Sequence, residues 1–564
     1  MGSNIKDLWK NNRRFRIWTR ILTGISIVFF LGVIGISMYL NGLVNRRLKE
    51  VVQESSDGLY QLKYSRVSVN ALTGNLTIYN AELIPNTTVF AQLQRGGKAP
   101  RFLVGGKVSR LVADNVRSLA FLSNRKLRIG RVAIVNPRFN LIQYRLEKDT
   151  VHDASGVYQL LSKRVKDLRI GTFNITNAII HYQVIDTTAT ARTINKIEHL
   201  DLGFKDVHFG GKKDGTGYLA ADDYYIRLKE YRHRTSDSLY WVGLHGFNYN
   251  SKHKRVSLDS FYVHPELSQE AFGKRVGHQA SRYQFRLKDI TADKFDLSTF
   301  AETGIAVIEN VKVDGGAINI DMDRSLPAPR EDRRNVVISQ KLKTLGLPFG
   351  ISVMQLQHLD LTYREYNSLT EESAVIAFKD LACKASNITN LESHVKGNGH
   401  MKLEASALFL NAQVRMDLVF DLKSAEGNFT ARVSANQIEA ARLNDILVPI
   451  AKIEARKGLL RKLEANLTGN QAAATGSVNL TYEDLKISLL KKDGDSLKRS
   501  GFKSMFANMM IPDDNPKDGI LRTAPRVTAP RKFGRSFFSM LWSAVSLGIQ
   551  EIILGKKGAA IQSP

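Results

Sequence analysis

The sequence is short of cysteine, of acid and of any catalytic signature. One cysteine in 564 residues, Cys383, excludes an intrachain disulfide framework and a cysteine zinc cluster. A lone nucleophilic thiol needs a basic partner, and none stands near it in the sequence, so Cys383 reads as a packing residue. There is no Gly-x-Ser-x-Gly, no Walker loop, no Gly-x-Gly-x-x-Gly and no His-Glu-x-x-His. The 12 histidines are scattered, and the pairs His358–Asp360 and His152-Asp153 have no third partner. Asp321/Asp323 and Asp222-Asp223 are paired carboxylates of the kind hydrolases use, but strand-end or turn charges account for them better. No catalytic residue, cofactor or metal is called for, and an enzyme is the weakest of three function classes.

Acidic residues number 54 against 81 Lys and Arg, a net charge of +27. Such a chain is drawn to anionic surfaces such as phospholipid headgroups, lipopolysaccharide or nucleic acid. No nucleic-acid module is recognisable, so nucleic acid is not expected as a partner. A hydrophobic content of 43% fits a folded protein. The length exceeds one compact core, so two or more units or a repeat array are expected.

Between Arg20 and Arg46 lie 25 uncharged residues. Ile21–Leu40 is long enough to cross a hydrocarbon core of ~30 Å as a helix. Trp18 and Tyr39 stand at its ends, where amphipathic rings prefer the membrane interface. Lys6, Lys10, Arg13, Arg14, Arg16 and Arg20 precede it, against Arg46, Arg47 and Lys49 after it, which favours a cytoplasmic N-terminus. A cleaved signal peptide is the alternative, but its apolar region should be shorter and no small-x-small site is evident near Ser37–Asn41. Residues 1–20 then read as a cytoplasmic basic tail and 21–44 as a signal anchor in the cell inner membrane. The bulk lies across it, in a periplasm if the cell is Gram-negative.

Beyond the anchor, Val44, Leu48, Val51 and Val52 keep helical spacing up to Gly58. From Tyr60 the period becomes two, the mark of strands with one apolar face. Leu127-Arg-Ile-Gly130 through Asn136 recurs 41 residues later as Leu168-Arg-Ile-Gly171 through Asn177. Looser echoes are Ile305–Ile320 and Ile351–Tyr363, and short helices are expected over Val116–Leu122 and Val157–Val165. Stacked strand units, none able to bury its apolar face alone, account for such repetition. Further strands are read at His199–Phe209, Tyr224–Lys229, Tyr240–Tyr249, Val256–Val263 and Tyr283–Leu287. The clearest strand is Val414, Met416, Leu418, Phe420 and Leu422, alternating with Arg415, Asp417 and Asp421. Its apolar series runs back to Leu408, too far for one strand, so a turn is expected near Leu410–Ala412.

Asn436-Gln-Ile-Glu439 resembles a capping box opening a helix that Pro449 should end. Residues 491–532, polar and proline-containing, read as loop. Ser536–Gln550 predicts an amphipathic helix with Phe537, Phe538, Leu541 and Trp542, either in a membrane interface, plugging a groove end, or packed on the sheet.

Four features carry a family resemblance. They are the N-terminal anchor; Ile129-x-x-Val132-x-Ile134-x-x-Pro137-x-Phe139; Phe349-Gly-Ile351 through Leu361-Thr-Tyr363-Arg-Glu365; and Leu443-Asn444 through Gly458-Leu459 to Gly476-Ser-Val478-x-Leu480-x-Tyr482. On these the chain resembles the AsmA-like family of envelope proteins, related in architecture to TamB and the chorein-type bridge proteins. The resemblance is best over 399–490, fair over 60–184 and thin over 200–345. It implies a mainly β fold: a long, curved antiparallel sheet behind a transmembrane helix, with an apolar inner face and a few short helices. It also implies phospholipid moved or shielded between inner and outer membranes in support of outer-membrane assembly.

The expected division is a first groove segment over 45–325, a linker at 326–347, a second segment over 348–490, a loop over 491–532 and a helical tail over 533–564. The lipid-contacting candidates are Val414, Met416, Leu418, Phe420, Leu422, Val478, Leu480, Tyr482, Ile129, Ile134, Ile170 and Ile175. The competing class is an inner-membrane scaffold that docks envelope assembly proteins, which predicts dry, closed apolar faces.

Overall fold

The computed structural model describes residues 44–562 apart from 71–72, 98, 101, 118–125, 145–166, 186–190, 212–216, 330–336, 369, 494–495 and 500–510. Trp18, Tyr39 and the expected anchor lie outside the described residues, as do most of the two expected short helices. Val116 and Arg117 are strand. The described chain is mainly β, with 23 strands.

The chain forms two compact units. Residues up to 233 with 243–259 and 296–304 make the first, and 234–242, 260–295 and 305–564 make the second. The expected linker, 326–347, lies inside the second unit. Val337 is fully buried there, and Gln340 on the helix Ile338–Lys343 hydrogen-bonds the Ala425 carbonyl at 2.8 Å and Gln471 at 2.7 Å.

The first unit opens with the helix Val44–Ser55, as its spacing predicts. Its strands are β1 (Tyr60–Lys63), β2 (Arg66–Asn70), β3 (Asn75–Pro85), β4 (Phe102–Arg117), β5 (Lys126–Val135), β6 (Arg138–Tyr144), β7 (Asp167–Ile185), β8 (Ala191–Gly211), β9 (Gly217–Ala220) and nearly all of β10 (Asp223–Arg234). Pairing is antiparallel except where β5 and β6 both lie parallel to the long β7. There the 41-residue sequence repeat becomes a spatial one: Leu127 faces Leu168, Arg128 faces Arg169, Ile129 faces Ile170 and Ile134 faces Ile175. The repeated asparagines close the step, with Asn177 Nδ2 donating to Asn136 Oδ1 at 2.8 Å.

β11 (Tyr240–Asn250) and β12 (Arg255–Pro265) contribute residues to both units. The second unit holds β13 (Arg282–Asp293), β14 (Ala306–Asp323), β15 (Phe349–Asn367), β16 (Glu372–Thr389), β17 (His400–Phe409), β18 (Ala412–Asp421), β19 (Phe429–Glu439), β20 (Ile453–Gly469), β21 (Ala473–Asp493), β22 (Ser496–Arg499) and β23 (Thr523–Pro530). Consecutive strands from β13 to β21 pair in order, antiparallel except for β14 beside β15, and β23 pairs with β21. The expected turn is a two-residue hairpin. Leu410 and Asn411 both have positive φ, 51° and 67°, and Phe409 pairs with Ala412 across it. That is the type I′ geometry suited to the strand twist.

Positive-φ polar residues recur inside strands of both units: Asn80, Asn115, His199 and Asp206 in the first, Asp289, His358, Asp380 and Asp484 in the second. Register slips accompany His358 on β15 and Asp380 on β16. Each is a bulge that bends its strand and increases the local twist. Asn and Asp tolerate the left-handed region better than other side chains with a Cβ.

Two local expectations need correction. Asn436–Glu439 is not a helix start but the end of β19, paired with β20. A 3-10 turn over Ala440–Leu443 follows directly, and the α-helix runs Asn444–Ala451 with Pro449 inside it. Ladder bonds from β20 outcompeted the capping pattern. Within the expected loop 491–532, β21 runs on to Asp493 and pairs with Ser496–Arg499, and Thr523–Pro530 is a strand despite its prolines. Its Ala524, Val527 and Ala529 are buried, and its only described strand partner is β21, the edge position where proline is tolerated.

Candidate functional site: an apolar sheet face with an open and a sealed half

Strand alternation puts every second side chain of the second unit on one face, and the register lines these up across the ladder. One row of directly opposed residues runs Ile290, Val313, Leu356, Cys383, Ala405, Met416, Val433, Ala465, Val478 and Ala524. No polar residue interrupts it. At ~4.8 Å per strand the row covers roughly 43 Å. Burial pushes the Cys383 thiol up to about 11, as an apolar lining requires.

The two ends of this face differ. Over β18–β23 it is sealed by the C-terminal helix Phe537–Gln562, which kinks at Gly555. Phe537 sets its ring 5.5 Å from that of Phe420 and 4.9 Å from that of Phe429. Met540, Leu541, Ala544, Val545 and Ile552 join the same buried cluster. Gly548 lets the helix touch the sheet: a Cβ there would lie 2.4 Å from the side chain of Val478. Leu418, Phe420, Leu422, Val478, Leu480 and Tyr482 are therefore buried, while Val414 and Met416 are half-buried. Burial raises the Tyr482 hydroxyl to about 12, and that hydroxyl donates to the Pro512 carbonyl at 3.3 Å.

Over β13–β16 the same face carries larger, half-exposed residues. Tyr283, Ile320, Tyr363 and Ile376 form one cross-strand row, and Phe285, Ile318, Leu361 and Phe378 the next. Tyr283 is 45% exposed and the other seven are half-buried. These open residues were absent from the sequence-based candidates, although the period-2 signal over 283–287, 305–320 and 351–363 contains six of them, all but Ile376 and Phe378. On the opposite face Asp321 sits between Arg282, 2.9 Å away, and Arg364, 3.2 Å away. Asp323 accepts from the Ser325 amide at 2.8 Å. His358 pairs with Asp314 at 2.7 Å, not with Asp360.

In the first unit Ile129, Ile134, Ile170 and Ile175 lie in one buried cluster with Leu48 and Val52 of the first helix. Their exposures, 0–3%, leave no surface for a ligand.

The four aromatic and apolar candidates of the C-terminal helix divide. Phe537 and Leu541 face the sheet, whereas Phe538 and Trp542 are half-exposed on the outer side. Phe537–Gly555 is the one helical stretch among the described residues long and apolar enough to cross a membrane, by length and composition. Its buried side is already occupied by the sheet.

No protein-family model matches the chain. No curated protein matches it either.

Proposed function

We propose that this is a membrane-anchored AsmA-like envelope protein that carries or shields phospholipid acyl chains along the apolar face of its second unit, without enzymatic chemistry. What supports it is the unbroken apolar row from Ile290 to Ala524, flanked on β13–β16 by the half-buried rows of Tyr283 and Phe285. Each methylene moved from water onto such a wall gains ~0.8 kcal/mol, so a two-tailed lipid needs a long one. The chain's +27 charge would hold anionic headgroups at the rim. Anchoring through residues 21–44 in the inner membrane, with the bulk periplasmic, belongs to the same proposal, as do outer-membrane assembly partners.

A photo-crosslinker at Phe285 or Leu361 tests it. Phospholipid adducts there, with few at Leu480 beneath the helix, are the expected outcome. Protein adducts alone at all three positions would sink it.

A scaffold without lipid transfer is the second reading. The dry burial of Ile129, Ile134, Ile170, Ile175, Phe420 and Val478 favours it. It predicts no co-purified lipid and unchanged envelope assembly when Phe285 and Leu361 are made polar.

A further inference from the structure

The LRIG repeats have an outer face that the lipid reading does not use. Leu127 and Ile129 point into the core, so Arg128 between them points out, and Arg169 does the same in the second copy. Register places Arg117 opposite Arg128, Arg128 opposite Arg169, and Arg169 opposite His208 on four neighbouring strands. Like charges directly opposed destabilise a sheet.

Beside this row the side chains disappear. Gly130 and Gly171 form the floor of an open recess of about 470 Å³, lined at one end by Arg117, Arg128 and Arg169. A Cβ at Gly171 would lie 2.7 Å from the Gly130 carbonyl, so the floor cannot carry a side chain. The other end is acidic. Asp206 lies beside Gly171, between the pairs Ile170–Val207 and Thr172–Lys205, and Asp222 is held next to it by its amide on the Lys205 carbonyl at 3.1 Å. Asp167 is taken by His208 at 2.8 Å and stands 4.0 Å from Arg169. Among the described residues, Arg117, Arg128, Asp206 and Asp222 have no ion pair, with each other or elsewhere.

A recess with Arg117 and Arg128 free of ion pairs on β4 and β5, and Asp206 and Asp222 likewise free on and beside β8, is complementary to a dipole. We propose that it binds a ligand with a phosphate at the arginine end and a primary ammonium at the aspartate end, the chemistry of phosphoethanolamine. Arginine forks suit phosphate oxygens, and carboxylates accept from ammonium N–H groups. The recess lies on the face opposite the apolar core of its own unit, so the inference goes beyond the lipid-wall reading and stands or falls separately.

The test is the apparent Tm of the full-length chain in detergent with O-phosphoethanolamine, orthophosphate or ethanolamine at equal ionic strength. O-phosphoethanolamine should raise it by about 2–4 °C, and each half-molecule far less. R128Q/R169Q and D206N/D222N should each lose the rise. An equal rise with orthophosphate, or a rise that survives in either double variant, overturns the proposal. The wild-type comparison stands even if a variant fails to fold. Vesicles of phosphatidylethanolamine that reproduce the rise, where phosphatidylcholine vesicles do not, assign the source to a lipid headgroup. A rise with the soluble compound alone assigns it to a free metabolite. Lipid capture at Phe285 or Leu361 is unaffected by either result.

Discussion

The β13–β16 and β18–β23 parts of the second unit present the same apolar face built by the same alternation, yet one is half-open and the other largely buried. The difference is not in the strands. Phe285, Ile318 and Leu361 are no more polar than Leu418, Phe420 and Val478. The later strands carry the helix Phe537–Gln562, which packs its Phe537 on β18 and β19 and its Gly548 on β21. An apolar strand face is thus a potential site whose use depends on what lies over it.

Phe420→Ala should have the largest effect on this contrast. The ring is fully buried between Phe429 and Phe537, and its loss should cost about 3–5 kcal/mol. Phe285→Ala on the open strands should cost about half that or less, because much of its surface is already wet. Urea denaturation of the two variants measures the contrast, and equal losses would mean that the two halves are covered alike.

Gly548→Ala should come next. The added methyl collides with Val478, so the helix must shift, at a cost of about 1–3 kcal/mol. If crosslinking at Leu480 then captures lipid that the wild type does not, the seal rather than the strand chemistry defines the boundary of the open half.

Cys383 reports on the row itself. With its thiol pushed up to about 11, alkylation of the native chain at pH 8 should be about 100-fold slower than for a free thiol. Ordinary reactivity would show that the middle of the row is wetter than its burial implies.

The smallest effect belongs to the exposed bulge at His358. Hydrogen bonding to Asp314, and then its charge, raise the imidazole above its ordinary value of 6.5. The stabilisation from this pair is therefore complete below about pH 6.5 and lost as pH rises through the raised value. Asp314 is held low first by Lys312 and then by His358, so it stays ionised throughout that window. His358→Asn should flatten the small loss of stability between pH 6 and 9, read as the urea midpoint at low salt.

Much of this fold is legible along the chain. The LRIG pair is spaced by 41 residues because each copy pairs in register with the next, so a sequence repeat and a ladder repeat are the same fact. The hairpin at Leu410–Asn411 follows from an apolar series too long for one strand. The misread segments are those where a local signal competed with the ladder. Asn436–Glu439 has capping chemistry but sits against β20, and Thr523–Pro530 has two prolines but an edge position beside β21.

The sequence by itself determined which side of each strand is apolar, because alternation is a property of neighbouring residues. It also determined that most of the chain would be strand and that the copies would stack. Only the tertiary structure decided which stretch of the apolar face is open. Phe537 reaches Phe420 across more than a hundred residues, and Gly548 matters only because Val478 lies beneath it. Register sums such contacts over ten strands, and a cover supplied by a distant helix leaves no mark in the local pattern of the strands it hides.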